Sequence, residues 1–146
     1  KTSSPACTPC ASWMSEEGAG QFVKAVHNGT EYADMQMIAE VYGILRDSSA
    51  SAIAAGVDRW NTGPLASYLI EISARVAEAK DTDTGRPLLD IITDAAGQKG
   101  TGRLTAIEAQ HLGAPVLAIE AAVAARNLSA ARDLRQTAED LFGAAP

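Results

Sequence analysis

The stretch GAGQFVKAVHNGTEYADMQMIAEVYGILR, residues 18–46, contains no proline and repeats its apolar residues at helical spacing. It predicts one helix ~43 Å long at 1.5 Å per residue. That length is large for a chain of 146 residues, so the rest of the fold is expected to form around it. With Lys24 set to zero and each residue advancing ~100°, His27, Asn28, Glu31 and Tyr32 fall at ~300°, ~40°, ~340° and ~80°. A cation, an imidazole, an amide, a carboxylate and a phenol thus share one side within nine residues. The opposite side, centred near ~180°, holds Phe22, Val26, Gly29, Ala33 and Met37. Gly29 and Ala33 there would let another helix come close.

Outward from this helix the pattern stays helical. Ser48 to Trp60 reads as a second helix, broken by Asn61-Thr62-Gly63-Pro64. Pro64 suits the first turn of a third helix, Leu65 to Lys80, with Leu65, Tyr68, Leu69, Ile72 and Val76 at helical spacing. Asp81-Thr82-Asp83-Thr84-Gly85 is a loop that starts like a calcium-binding EF-hand. Its sixth position is Arg86 and its twelfth Ile92, where that motif needs Gly and Glu, so calcium is not expected. Leu88 to Asp94 reads as a short helix, Gly97-Gln98-Lys99-Gly100-Thr101-Gly102 as a glycine-rich loop, and Thr105 to His111 as helical. Pro115 opens a helix to about Arg126, and Ser129 is the expected N-cap of a last helix through Leu141. No segment alternates as a strand does. The fold class is therefore all-α, with residues 1–17, which carry Ser3, Ser4, Pro5 and Pro9, as an irregular connector.

Composition narrows the functions. The chain is 47% hydrophobic, 21% charged and rich in alanine, the best helix former. A net charge of −6 argues against nucleic acid, whose phosphates need a basic face, but leaves room for a small anion held by local charge. No apolar run has membrane-spanning length. Cys7 and Cys10 form a C-x-x-C pair without the further cysteines of a zinc site, so they read as two reduced thiols.

Certain residue types point to chemistry. A lysine near an anion or out of water can serve as a general base, and a glutamate on the same face as an acid. His27 and Asn28 can bind hydroxyls. The loop at Gly97–Gly102 matches neither a Walker A loop nor a dinucleotide fingerprint. Lys99, the Thr101 hydroxyl and free backbone amides could still hold a phosphate. Arg126, the only charge between Glu120 and Arg132 in a very apolar stretch, either snorkels or forks onto a phosphate.

Residues 18–36, GAGQFVKAVHNGTEYADMQ, resemble the signature helix of the 6-phosphogluconate dehydrogenases. So do Trp60-Asn61, Ser67-Tyr68-Leu69-Ile70-Glu71-Ile72 and Ala96-Gly97-Gln98-Lys99-Gly100-Thr101-Gly102. The resemblance runs in order over most of the chain. It implies part of the all-α C-terminal domain of a cytoplasmic, homodimeric enzyme of the pentose phosphate pathway and gluconate utilisation. That enzyme oxidises 6-phosphogluconate with NADP and decarboxylates it to ribulose 5-phosphate and CO2. By matching position, Lys24 is the base for the C3 hydroxyl proton and Glu31 the acid that protonates C1 of the enediol left after CO2 is lost. His27 and Asn28 contact the substrate, and Tyr32, Lys99, Thr101 and Arg126 hold its phosphate.

The resemblance also implies an amino-terminal Rossmann domain for NADP and a carboxy-terminal tail that adds an Arg and a His to the partner's phosphate site. Neither is found in these 146 residues. Residues 1–17 are then the connector from the Rossmann domain and residues 18–146 a partial catalytic domain, expected to be inactive alone. Where the family usually has Ile and Gly, this sequence has Thr30 and Ala33, which bears on helix packing more than on chemistry. An alternative is a non-catalytic helical module that binds a sugar phosphate or dimerises. Related β-hydroxyacid dehydrogenases also place a lysine on a helix, but are not expected to combine Glu31-Tyr32 with the Lys99–Gly102 loop.

Overall fold

A run of 27 residues with strong helix formers and no proline becomes one continuous helix, α1, Ala19–Leu45, ~40 Å long. The computed structural model describes residues 12–143. Along them follow α2 (Ala50–Trp60), α3 (Tyr68–Glu78), a single 3-10 turn (Leu88–Asp90), α4 (Thr101–Leu112), α5 (Leu117–Ala130) and α6 (Arg132–Phe142). Among the described residues no strand forms, and one isolated bridge joins Lys80 to Pro87. The all-α reading holds. Cys7 and Cys10 lie outside the described residues.

α1 serves two clusters. Its carboxy-terminal half packs Tyr42 and Leu45 on the α2–α3 pair, whose core is Ile53, Ala54, Val57, Ala74 and Ala77. Its middle packs Tyr32 and Met35 on Ala122 and Val123 of α5, with α4 alongside. Alanines at these crossings let helix axes come close, and their spacing within α3 and α5 sets which face turns inward.

Several boundaries and one face differ from the sequence expectation. α2 starts at Ala50 because the Ser49 hydroxyl accepts from the Ala52 N–H at 3.3 Å. α3 starts at Tyr68, three residues after Leu65, because Ser67 caps it and Asn61 Oδ1 in turn accepts from the Ser67 N–H at 3.0 Å. Pro64 therefore stays in the turn. On α3 the small residues Ala74 and Ala77 are buried, while Leu65, Tyr68 and Val76 are exposed. The expected helix Leu88–Asp94 shrinks to one turn, because Asp94 is drawn away by Arg135. Ser129 does not cap the last helix. It lies inside α5, which runs on to Ala130, and its hydroxyl accepts from the Ala96 N–H at 2.8 Å.

Candidate functional site

Placement on α1 decides which of its polar groups reach solvent. The buried residues Tyr32, Ala25, Gly29 and Ala33 fall at ~80°, ~100°, ~140° and ~180° around the helix. The inward face is thus rotated by ~50° from the apolar side at ~180°. Tyr32 turns into the core between α4 and α5, and Lys24, His27, Asn28 and Glu31 remain on the open side. Lys24 and His27 are exposed, while Asn28 and Glu31 are half-buried. Glu31 Oε2 lies 3.8 Å from His27 Nδ1 one turn away. Lys24 and Glu31 are seven residues apart, ~10 Å along the axis, so a small ligand can lie along the helix between them. The rotation also leaves Phe22, Val26 and Met37 exposed, against the sequence expectation of a packed opposite side. Thr30 is exposed and its hydroxyl donates to the Val26 carbonyl at 3.2 Å.

α4 is locked to α1 at two glycines. Gly29 faces Thr105, whose buried hydroxyl lies 2.8 Å from the Ala25 carbonyl and 3.0 Å from that of Thr101. Gly102 lies flat against the Tyr32 ring. These contacts bring the amino end of α4 beside the polar side of α1. Gly100, at φ +100°, is the left-handed residue that lets the loop turn into that helix end. No side chain caps α4, so its first amide groups and dipole face outward, an arrangement that favours anions.

Around this end the remaining candidates meet. The Tyr32 hydroxyl accepts from the Lys99 N–H at 3.2 Å. The Arg126 guanidinium stacks over the Tyr32 ring, 4.0 Å from its centre, and donates through Nη1 to the Gly97 carbonyl at 2.8 Å. Its Nη2 points at Met35 Sδ at 3.5 Å. Arg126 therefore holds the loop backbone through a single N–H and has further N–H groups that could meet an anion. Thr101 is the first residue of α4, half-buried beside Lys99. Tyr32 of α1, the loop residue Lys99, Thr101 of α4 and Arg126 of α5 thus meet at this helix end, next to the row on α1.

Sequence reasoning missed the residues that hold this cluster in place: Gly102, Thr105, Asn127, Ser129 and Arg135. Asn127 Oδ1 accepts from Gln98 Nε2, and Arg135 bonds Asp94. Only the glycine spacing offered a signal. An apolar cavity of about 320 Å³ beneath α1, lined by Tyr42, Val57, Trp60 and Leu69 among others, contains none of the candidate residues. It is a packing gap of the α2–α3 side, without charged groups for sugar chemistry. Among the described residues no group of three potential metal ligands occurs, and no helix is long and apolar enough to cross a membrane.

Residues 20–146 match the family model described as 6-phosphogluconate dehydrogenase, C-terminal domain. Two decarboxylating 6-phosphogluconate dehydrogenases of Bacillus subtilis, one NAD(+)-dependent and one NADP(+)-dependent, are 46% and 47% identical over 137 residues, each covering 92% of this chain. The chain spans 29% of the length of each. A solved structure of Plasmodium falciparum 6-phosphogluconate dehydrogenase, described in its apo form and in complex with NADP+ and with 6-phosphogluconate, superposes with a TM-score of 0.86. It is 40% identical, with 97% of this chain and 31% of that one covered.

Proposed function

Because this chain belongs to the 6-phosphogluconate dehydrogenase C-terminal domain family, we propose that it supplies the substrate-binding and proton-transfer part of a decarboxylating 6-phosphogluconate dehydrogenase. Residues 18–146 are this partial catalytic domain, and residues 1–17 its connector. The reaction is oxidation of 6-phosphogluconate at C3, followed by loss of CO2 to give ribulose 5-phosphate. The observation that supports the reading is the convergence of Tyr32, Lys99, Thr101 and Arg126 at the uncapped end of α4, beside the Lys24–Glu31 row. A phosphate in that cluster directs the carbon chain of a sugar acid along α1.

In this proposal the Lys24 amine receives the proton of the C3 hydroxyl. His27 and Asn28 bind the neighbouring hydroxyls and set C3 near that amine. Loss of CO2 leaves an enediol, which Glu31 protonates at C1. A dinucleotide bound in the complete enzyme would supply the acceptor for the hydride that leaves C3. Among the described residues there is no strand, hence no strand, glycine turn and helix to hold a dinucleotide. No residue of this chain is assigned to NADP. The NAD(+)- and NADP(+)-dependent relatives match this chain almost equally well, which fits a cofactor choice made elsewhere.

Calorimetric titration of the chain with 6-phosphogluconate tests the reading. Saturable binding, lost in Lys99→Ala and Arg126→Ala, is expected. A well-folded chain that binds gluconate and 6-phosphogluconate equally would refute the phosphate assignment.

An exposed apolar stripe on α1 favours a pairing role beside catalysis. Phe22, Val26, Met37 and Ile44, 45%, 37%, 54% and 80% exposed, fall between ~160° and ~220° around the helix and run along most of its length. Single exposed apolar residues are ordinary, but a stripe marks an interaction surface. Homodimerisation through this stripe, and a cytoplasmic enzyme of the pentose phosphate pathway, complete the proposal. Light scattering that finds only monomer at all concentrations would remove the pairing part.

A further inference from the structure

The loop that carries Lys99 has little structure of its own, yet side chains from outside hold it at almost every residue. Arg135 Nη1 donates to Asp94 Oδ2 at 2.7 Å and its Nη2 to the Asp94 carbonyl at 2.6 Å. The Ala96 N–H donates to Ser129 Oγ at 2.8 Å. Arg126 holds the Gly97 carbonyl, Asn127 the Gln98 amide, and the Tyr32 hydroxyl the Lys99 N–H. Of these five anchors, Arg126, Asn127 and Ser129 lie in the last turns of α5, Arg135 in the first turn of α6 and Tyr32 in α1.

Arg135 differs from the others. Its Nη2 also reaches the Ser129 carbonyl at 3.1 Å, and its side chain is only 28% exposed while that of Asp94 is 81% exposed. Its charge therefore faces the loop, not an incoming ligand. α6 buries none of its residues, so Arg135 is not an incidental part of a packed helix. Its removal leaves both apolar clusters intact. Arg135 ties the entry of the loop to Ser129, the residue that holds Ala96. It also neutralises the one carboxylate between residues 91 and 100, a charge that would oppose an anion bound nearby.

We infer that Arg135 is a positioning residue for the phosphate-binding loop. By fixing Asp94 against the end of α5, it sets the path of residues 96–99 before ligand arrives. The ligand then meets Lys99, Thr101 and the α4 amides already in place, and the ordering cost of the loop is met in folding. This inference rests on the proposed phosphate role of the cluster. A bidentate guanidinium is required because three acceptors in fixed directions must be reached at once, which an ammonium cannot do.

The test combines amide hydrogen exchange by NMR with calorimetric titration of the chain by 6-phosphogluconate. In the unsubstituted chain the Ala96 and Lys99 amides are expected to be protected. Arg135→Ala should speed their exchange, leave α1 and α4 exchange unchanged, and weaken 6-phosphogluconate binding roughly tenfold. Arg135→Lys keeps the charge and should recover only part of that loss. Ser129→Ala should act in the same direction at Ala96, and serves if Arg135→Ala does not fold. Full recovery by Arg135→Lys would overturn the inference in favour of charge alone. Faster exchange with unchanged affinity would overturn it as well. Protected loop amides in an unsubstituted chain that does not bind 6-phosphogluconate would locate the failure in the phosphate reading, and the positioning role would fall with it.

Discussion

Replacing Gly102 by alanine isolates the contact on which the phosphate cluster depends. The new Cβ would stand 2.5 Å from Tyr32 Cδ2 and 2.8 Å from Cε2, closer than any such contact allows. The ring has nowhere to go: it is buried, Arg126 stacks on it, and its hydroxyl is held by the Lys99 N–H. Relief requires the ring or α4 to move by about 1 Å, to reach ordinary carbon contact. Overpacking of this kind costs about 1–3 kcal/mol. Alanine gains up to ~1 kcal/mol over glycine inside a helix, and less here, since Gly102 is the second residue of α4. The net loss is about 1–2 kcal/mol, which lowers the melting temperature of a chain this size by roughly 5 °C. The same movement breaks the 3.2 Å bond to the Lys99 N–H, so affinity for 6-phosphogluconate is expected to fall about tenfold. Gly29→Ala is the control. Its Cβ would meet Thr105 Oγ1 at 2.9 Å, also between α1 and α4 but away from the cluster. Thermal melts by circular dichroism and calorimetric titration of both variants decide the matter. Gly102→Ala with unchanged melting and affinity would refute the reasoning. Equal losses of affinity in the two variants would show that helix spacing, not the ring, controls the site.

Four further outcomes are expected. Thr105→Val keeps the side-chain shape but loses the hydroxyl bonds to the Ala25 and Thr101 carbonyls, and should cost about 1 kcal/mol in denaturant unfolding. Arg126→Lys loses the hydrogen bond to the Gly97 carbonyl and the flat stack on Tyr32. It should bind 6-phosphogluconate roughly tenfold more weakly by titration, despite an unchanged charge. Met37→Glu, in the middle of the exposed stripe, should shift any dimer seen by light scattering to monomer without changing the helix content. In the loop after α3, hydrogen bonds from the Thr84 hydroxyl and N–H hold Asp81 below its ordinary value of 3.8. Such a lowered carboxyl steadies the loop above its unfolded value and loses that effect as pH falls through the folded one. NMR titration should therefore find Asp81 below 3.8, and raised in Thr84→Val only part of the way, since the N–H bond remains.

The long helix was legible because nothing in residues 18–46 interrupts it, and its ends came within a residue of the structure. The third helix and the last two were less so. At each of Ser49, Ser67 and Ser129 the sequence offers the same cap chemistry, but only the first two serve as caps. What separates them is a partner 33 residues away: the Ala96 N–H takes the Ser129 hydroxyl, and α5 continues past it. A local signal cannot reveal a bond of that span. The inward face of α3 misled for a related reason. Leu65, Tyr68 and Val76 are the larger apolar residues, yet close packing against α2 selects the smaller Ala74 and Ala77.

The same limit shaped the reading of the site. Helical spacing put Lys24, His27, Asn28, Glu31 and Tyr32 on one side, but could not divide that side into an open row and a buried phenol. The division follows from where α4 crosses α1. Gly29 and Gly102 are the two points without side chains that let α4 come near, and both lie toward the ~80–140° sector of α1. That crossing draws Tyr32 inward, turns its hydroxyl to the Lys99 amide, and aims the free end of α4 past the polar row. It also leaves Phe22, Val26 and Met37, on the sector next to the crossing, uncovered. The buried phenol, the anion-favouring helix end and the exposed apolar stripe are therefore three consequences of one helix crossing. A change at Gly102, against the Tyr32 ring, should disturb the first two together before it disturbs the third.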